Sequence, residues 1–125
     1  DQIRDWLFVD DHCSALEKII SKGKPGENYN IGGECEYRNI DLVKLICRTL
    51  DNFNIKKHSS ITKRYEELIS FVPDRMGHDQ RYGVDITKIK NDLSWQPSVS
   101  IEEGMKRTIL WYLENTKWLN NLKTN

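Results

Sequence analysis

Four stretches of the chain place apolar side chains three and four positions apart, which is the spacing of one helix face. The stretches are 13–20, 40–50, 86–95 and 101–113. Each is preceded by residues that can cap a helix, namely Asp10 or Asp11, Asn39, Asp85 and Ser100. Ser100 and Glu103 also form the S-x-x-E pattern of a capping box. The pattern predicts a chain built mainly from three to four helices.

Short apolar runs between these stretches are typical of strands. They lie at residues 6–9, 28–33 and 67–72, and residues 81–85 could add a brief extended piece. So few strands do not make a doubly wound sheet. We therefore expect an α/β fold in the form of a small mixed lobe of short strands and helices. Such a lobe would complete a larger neighbouring domain.

Length and charge limit the possible functions. A chain of 125 residues is one ordinary domain and can bury a single core. Its 19 basic and 19 acidic residues cancel, so we expect no nucleic-acid binding, which needs a basic excess. Residues 54–64 are polar and aperiodic, which predicts a loop.

The cysteines and the apolar runs indicate the cellular setting. Cys13, Cys35 and Cys47 are odd in number and lack C-x-x-C spacing, so neither a disulfide framework nor a zinc site is predicted. Cys13 and Cys47 fall at helical positions among apolar neighbours and are predicted to be small core residues. No apolar run reaches membrane-spanning length, and a cytoplasmic setting is expected. The abrupt start without methionine suggests a piece of a longer protein.

The motifs for nucleotide and nucleophile chemistry are missing from the sequence. It contains no G-x-G-x-x-G and no P-loop, and its glycine pair, Gly32 and Gly33, precedes acidic residues that would repel a pyrophosphate. None of the histidines lies in a nucleophile elbow. His12 and Cys13 are adjacent, so on a helix they point about a hundred degrees apart and would not share a metal ion.

One cation-rich segment remains, the stretch F-V-P-D-R-M-G-H-D-Q-R-Y-G-V-D at residues 71–85. Arg75 and Arg81 offer guanidinium forks that fit phosphate oxygens, and His78 can donate from a ring nitrogen. Arg4 and Asn39 could add to such an anion site. The alternative is that Arg75 and Arg81 form ordinary surface ion pairs with nearby aspartates, and that Asn39 only caps a helix. Spacing does not separate these readings.

Several segments together resemble a known family. The stretches Q-I-R-D-W-L-F-V-D-D-H, Y-N-I-G-G, P-D-R-M-G-H-D-Q-R-Y-G-V-D and L-S-W-Q-P-S-V-S-I-E-E-G-M-K-R-T-I-L-W-Y-L-E-N are similar to the C-terminal part of the dTDP-glucose 4,6-dehydratases. These enzymes belong to the extended short-chain dehydrogenase/reductase family that modifies nucleotide sugars. The resemblance covers nearly the whole chain except residues 54–64.

The resemblance implies a division of labour. In that family an N-terminal Rossmann domain binds NAD, and a smaller C-terminal lobe binds the dTDP-sugar. The oxidising Tyr-x-x-x-Lys pair is missing here, since no tyrosine is followed four positions later by lysine. The chain would therefore be a single substrate-binding domain, residues 1–125, without catalytic, NAD-binding or metal residues. It would be inactive alone. The full-length parent protein would be a cytoplasmic homodimer and a lyase that removes water from its substrate.

The resemblance also assigns substrate-binding residues. They are Arg4, Asn39, Asp74, Arg75, Met76, Gly77 and His78. Met76 departs from the usual proline at its position, which should leave the free loop less preorganised. Arg81 and Tyr82 also match the family, either as structural residues or as substrate contacts. The alternatives are the same lobe of a UDP-sugar epimerase or decarboxylase, and an interaction module without chemistry.

Overall fold

The computed structural model describes residues 2–53 and 64–122. Within them lie two short strands, β1 (Ile3–Asp5) and β2 (Glu36–Arg38). Five α-helices accompany the strands. They are α1 (Val9–Lys22), α2 (Asn39–Asn52), α3 (Thr87–Leu93), α4 (Ile101–Glu114) and α5 (Thr116–Leu122), with a 3₁₀ turn at Tyr65–Leu68. The small mixed α/β lobe is confirmed, and the helical stretch predicted at 101–113 is α4, which Asn115 separates from α5.

The two strands form an antiparallel pair. Ile3 lies opposite Arg38, Arg4 opposite Tyr37, and Asp5 opposite Glu36. On its other side, Ile3 makes an isolated parallel bridge to Arg81, because its N–H donates to Gln80 O (2.8 Å) and its carbonyl accepts from Tyr82 N (3.1 Å). Strand β1 therefore holds the cation-rich segment against the sheet.

The core lies between α1 and the segment around α3. Ala15, Ile86, Ile89, Leu93 and Trp95 form one buried cluster. The Trp95 indole N–H donates to Ser14 Oγ (2.9 Å), so the largest side chain in this cluster is also paired. Elsewhere α2 packs against α4 and the 3₁₀ turn, and the buried side chains there are Leu42, Cys47 and Ile109.

The predicted strands are the least accurate part of the sequence reading. The run 6–9 is wrong as a strand, because residues 6–8 are irregular and Val9 begins α1. The run 28–33 contains no strand, although Tyr29 and Ile31 alternate inward and pack on the core as strand residues would. The run 67–72 enters a 3₁₀ turn and then an exposed segment. Leu7, Tyr29 and Ile31 of the first two runs pack on the core cluster instead of a neighbouring strand, whereas Phe71 and Val72 of the third run are exposed.

One of the four predicted helix caps is confirmed, because Ser100 Oγ accepts from the backbone N–H of Glu103 (3.2 Å). Asp85 lies one position before Ile86, the N-cap of α3, but its Oδ1 still accepts from the backbone N–H of Thr87 (2.8 Å). The other two are wrong. Helix α1 begins at Val9 and its N-cap, Phe8, has no side-chain cap, while Asn39 is the first residue of α2 and follows Arg38 as N-cap.

Asp11 has a tertiary function instead of capping α1. Its buried carboxylate accepts hydrogen bonds from Ser98 Oγ (2.7 Å), Ser98 N (3.1 Å) and Val99 N (3.0 Å). It thereby ties the first turn of α1 to the segment that enters α4. Burial acts to raise its pKa, but the hydrogen bonds from Ser98 and Val99 outweigh burial and hold the pKa below the ordinary value.

The expectations for the cysteines and for the loop 54–64 can also be compared with the structure. Cys47 is buried as predicted, but Cys13 is exposed on α1 and not a core residue. Trp111 and Trp118 are half-exposed and stack edge to face with centroids 5.1 Å apart, packing α5 onto α4. The predicted loop 54–64 lies outside the described residues except for Arg64. No helix within the described ranges has the length and apolar character needed to span a membrane.

Candidate functional site

Arg4 lies at the centre of a polar network beside the cation-rich segment. Strand β1 directs its guanidinium toward residues 78–82, where Nη2 donates to the carbonyl of Asp79 (2.9 Å) and to Nε2 of His78 (2.8 Å). Nη1 donates to Ile3 O (2.7 Å), and the guanidinium carbon lies 4.7 Å from the centre of the Tyr82 ring. Arg4 is therefore held in one orientation although seventy-four positions separate it from His78.

His78 continues the network to Asp74. Its Nδ1 lies 2.7 Å from Asp74 Oδ1, and the same oxygen accepts from the backbone N–H of Arg75 (2.9 Å). The other carboxylate oxygen, Oδ2, accepts a hydrogen bond from the Gln2 side chain. The hydrogen bond with His78 is the main reason that the pKa of Asp74 lies below its ordinary value.

Asn39 joins the same edge through the backbone. Its N–H donates to Gln2 O (2.9 Å), so Gln2 contacts Asn39 with its carbonyl and Asp74 with its side chain. These three residues line a cavity of about 730 Å³ whose remaining wall is mainly apolar. The Asn39 side-chain oxygen is buried, and no described residue donates to it. An amide in this state has an unused acceptor beside the cavity.

Arg75, Met76 and Gly77 lie farther out on the loop. Met76 is fully exposed, and the backbone at Gly77 is left-handed, with φ of 69°. A Cβ at Gly77 would contact nothing, so glycine is favoured there by the backbone conformation and not by lack of space. Among residues 2–53 and 64–122 the Arg75 guanidinium has no hydrogen bond or ion pair. The structure thus groups Arg4, Asn39, Asp74 and His78 at one edge of the lobe. The other three predicted residues, Arg75, Met76 and Gly77, are exposed.

Arg81 and Tyr82 have structural partners. The Arg81 guanidinium pairs with Glu36 of β2, with Nε 2.7 Å from Oε2, and Tyr82 donates its hydroxyl proton to Asp79. The bond to Asp79 is also the main reason that the pKa of Tyr82 is raised. Arg81 could have bound an anion or formed a surface ion pair with a nearby aspartate. The structure shows an ion pair, but its partner is Glu36 and not Asp79.

Two residues of this region were missed from the sequence. Gln2 bridges Asn39 and Asp74, and Asp5 accepts from the backbone N–H groups of Gly33 (2.9 Å) and Cys35 (2.8 Å). Asp5 is the last residue of β1 and precedes an apolar run, which is a signal that could have marked it as a loop anchor. Gln2 has no such signal, since its role depends on a residue 72 positions away.

The glycine pair has a packing role at this anchor. A Cβ on Gly33 would lie 1.9 Å from the carbonyl oxygen of Trp6, and one on Gly32 would lie 2.5 Å from Asp5 Oδ2. Both positions therefore require glycine because the loop passes directly against the end of β1. This contact explains the Gly-Gly sequence without a nucleotide.

A second cavity, of about 660 Å³, lies on another face between residues 6–10 and α4. Phe8, Met105, Trp111 and Tyr112 give it an apolar wall, and none of the predicted binding residues lines it. The buried indole N–H of Trp6 finds no acceptor among the described residues. Within the same part of the chain there is no cluster of three side chains suited to a metal ion.

Comparison with known proteins places this geometry in context. The family model for GDP-mannose 4,6 dehydratase matches residues 1–108. A dTDP-glucose 4,6-dehydratase of Escherichia coli is 52% identical over 118 residues, which is 94% of this chain and 32% of that enzyme. The chain thus spans about a third of the length of the curated relatives it matches.

Solved structures agree with the sequence comparison. The dTDP-glucose 4,6-dehydratase of Bacillus anthracis in complex with NAD is 38% identical, with a TM-score of 0.75 over 94% of this chain and 33% of that one. A UDP-glucose 4-epimerase of Thermotoga maritima with UDP-glucose is 29% identical, with a TM-score of 0.76 over 92% of this chain and 33% of that one. On the sequence match and these shared folds, the chain belongs to the GDP-mannose 4,6 dehydratase family.

Proposed function

We propose that this chain is the nucleotide-sugar-binding lobe, residues 1–125, of an NAD-dependent dTDP-glucose 4,6-dehydratase. The parent enzyme would be a cytoplasmic homodimer and a lyase that removes water from dTDP-glucose to give dTDP-4-keto-6-deoxyglucose. An N-terminal Rossmann domain of the same protein would bind NAD and carry the catalytic groups. The lobe alone would then be inactive, because it would bind and orient substrate without an oxidant.

The observation that carries this proposal is the convergence of Arg4, Asn39, Asp74 and His78 on one edge. Arg4 and His78 are bonded to each other, Asp74 is bonded to His78, and Gln2 connects Asp74 to Asn39. Guanidinium and imidazole groups at such a point suit a diphosphate, and each charge-assisted hydrogen bond contributes about 1.5–3 kcal/mol. The unused Asn39 oxygen could accept a hydrogen bond from substrate.

Arg75 completes the set in this proposal. Its guanidinium is exposed and without a partner among the described residues, so closing on a bound phosphate would break no contact with any of them. Gly77 and the exposed Met76 leave the loop around it free of packing contacts. We expect Met76 to be near the nucleoside without carrying binding energy comparable to that of the charged residues.

The test uses Arg75→Ala in the intact protein that carries this chain. Losing one charge-assisted hydrogen bond should raise KM for dTDP-glucose roughly tenfold to 150-fold, and NAD affinity should stay within about twofold. Arg48→Ala is the matched control, because Arg48 is an exposed arginine of α2 whose nearest acidic group, on Glu66, is 4.0 Å away. An unchanged KM, or an equal loss of NAD affinity, would contradict the assignment.

The identity of the base decides between the dehydratase and the UDP-sugar alternative. The higher identity to dTDP-glucose 4,6-dehydratases favours dTDP, while the similar fold of the epimerase keeps the second reading open to test. Calorimetric titration of the intact protein with dTDP and with UDP separates the two. Tighter binding of dTDP supports the dehydratase, and tighter binding of UDP overturns it.

A further inference from the structure

The loop that carries Arg75 has little apolar packing of its own. Phe71, Val72 and Met76 belong to this loop, and their side chains are largely or fully exposed to solvent. Burial of apolar surface is the main force that fixes a segment on a protein, and these side chains contribute little of it. The position of the loop therefore depends chiefly on its hydrogen bonds to the rest of the lobe.

Three consecutive residues around the start of β1 supply such hydrogen bonds. Ile3 and Arg4 of β1 contact the end of the loop and the segment that follows it, at residues 78–82. Gln2, immediately before β1, contacts the loop closer to its middle, because its side-chain NH2 donates to Asp74 Oδ2. Gln2 thus holds a different part of the loop from the part that β1 holds.

The contact between Gln2 and Asp74 is a charge-assisted hydrogen bond. An ionised carboxylate has acceptors only, so the NH2 of the Gln2 amide is the group that faces it. The other carboxylate oxygen, Oδ1, contacts His78 Nδ1 (2.7 Å) and accepts from the backbone N–H of Arg75 (2.9 Å). With both oxygens bonded, the Asp74 carboxylate is held in one orientation.

The backbone of Gln2 reaches a second residue of the proposed site. Its carbonyl accepts from the N–H of Asn39 (2.9 Å), which is the first residue of α2. A single residue thus joins the start of a helix to an exposed loop that is distant in sequence. The separation of Asn39 from Asp74 therefore depends on the conformation of Gln2.

Resting on the proposed function, we propose that Gln2 is a positioning residue for the diphosphate of the nucleotide sugar. It acts through Asp74, whose fixed carboxylate orients His78 and sets the direction of the backbone at Arg75. Without the Gln2 amide the loop samples more orientations, and ordering the loop on binding then lowers the affinity. The bound state itself is the same, so the loss appears in KM and not in kcat.

The test replaces Gln2 by methionine in the intact protein that carries this chain. Methionine has a similar length and keeps the backbone carbonyl that Asn39 uses, but it lacks the NH2 donor. Gln2→Met should weaken dTDP binding about two- to tenfold in calorimetric titration and raise KM for dTDP-glucose by the same factor, with kcat unchanged. NAD affinity should stay within about twofold and the melting temperature within about 2 °C, because the lost contact is exposed. Gln96→Met changes an exposed glutamine before α4 and is the matched control, with no effect on dTDP binding.

A double-mutant cycle with Asp74→Ala separates positioning from a structural role. Gln2→Met should weaken dTDP binding in the native protein and add nothing in Asp74→Ala, because the residue through which Gln2 acts is then missing. Equal effects in the two backgrounds, or an unchanged affinity in Gln2→Met, overturn the proposal. A matching fall in melting temperature and NAD affinity overturns it too, since Gln2 would then only support the fold. All three results leave the proposed function standing, whereas no binding of dTDP by the native protein overturns both.

Discussion

Replacing Asp11 by alanine should destabilise the fold more than any other single loss of a charge in the described residues. Asp11 is the buried charged side chain of this part of the chain, and its carboxylate accepts three hydrogen bonds from Ser98 and Val99. Truncation leaves two backbone N–H groups without their acceptor, while the Ser98 hydroxyl can rotate to another partner. At about 1–3 kcal/mol for each of the two stranded donors, with a further 0.3–1 kcal/mol from the helix dipole, the free energy of unfolding should fall by about 2–7 kcal/mol.

The assay is urea denaturation followed by far-ultraviolet circular dichroism, and the chain itself provides the control. Asp10 occupies the same first turn of α1 but is exposed. Asp10→Ala should therefore lose only the helix-dipole contribution, about 0.3–1 kcal/mol. Equal destabilisation by the two substitutions would refute the reasoning, since it would show that the bonds to Ser98 and Val99 add nothing.

The stabilisation that Asp11 provides should also depend on pH. The pKa of Asp11 is lower in the folded chain than in the unfolded one, so its stabilisation is present above the unfolded pKa of about 3.9. It is lost as pH falls from there through the folded pKa. The difference in unfolding free energy between the native chain and Asp11→Ala should accordingly shrink below about pH 4. A difference that stays constant through that range would contradict the assigned pKa direction.

Two further substitutions test local features of the fold. Gly33→Ala would put a Cβ 1.9 Å from the Trp6 carbonyl oxygen, so the loop must shift. The unfolding free energy, measured by thermal denaturation, should fall by more than about 2 kcal/mol. A neutral result would show that the loop moves freely. Ser100→Ala removes the side-chain acceptor for Glu103 N and should lower the unfolding free energy by about 1 kcal/mol in the same assay. Ser100→Asp should keep most of that stability, because aspartate also caps helices. Equal destabilisation by alanine and aspartate would argue against capping.

The candidate residues came from the resemblance, and the hydrogen bonds that connect them in the structure were not predictable from the sequence. Arg4, Asn39, Asp74 and His78 were named from the sequence because of the resemblance, since their spacing alone left surface ion pairs equally open. That Arg81 pairs with Glu36 could not be read from the chain, because the Asp79 nearby in sequence is a competing partner. Asp79 instead accepts from Tyr82, three positions away.

What the sequence determined by itself was local. Helical periodicity found α1 to α4, and the cap at Ser100 and the hydrogen bond from Thr87 to Asp85 involve side chains that bond to backbone only two or three positions away. Tertiary structure alone decided where β1 pairs, why the apolar runs 6–9 and 28–33 form no strand, and that Asp11 serves the segment before α4. Strand pairing and buried polar contacts join residues distant in sequence, and such contacts leave no periodic signal. The contact between Arg4 and His78 is the clearest case, because the two residues lie 74 positions apart in the sequence.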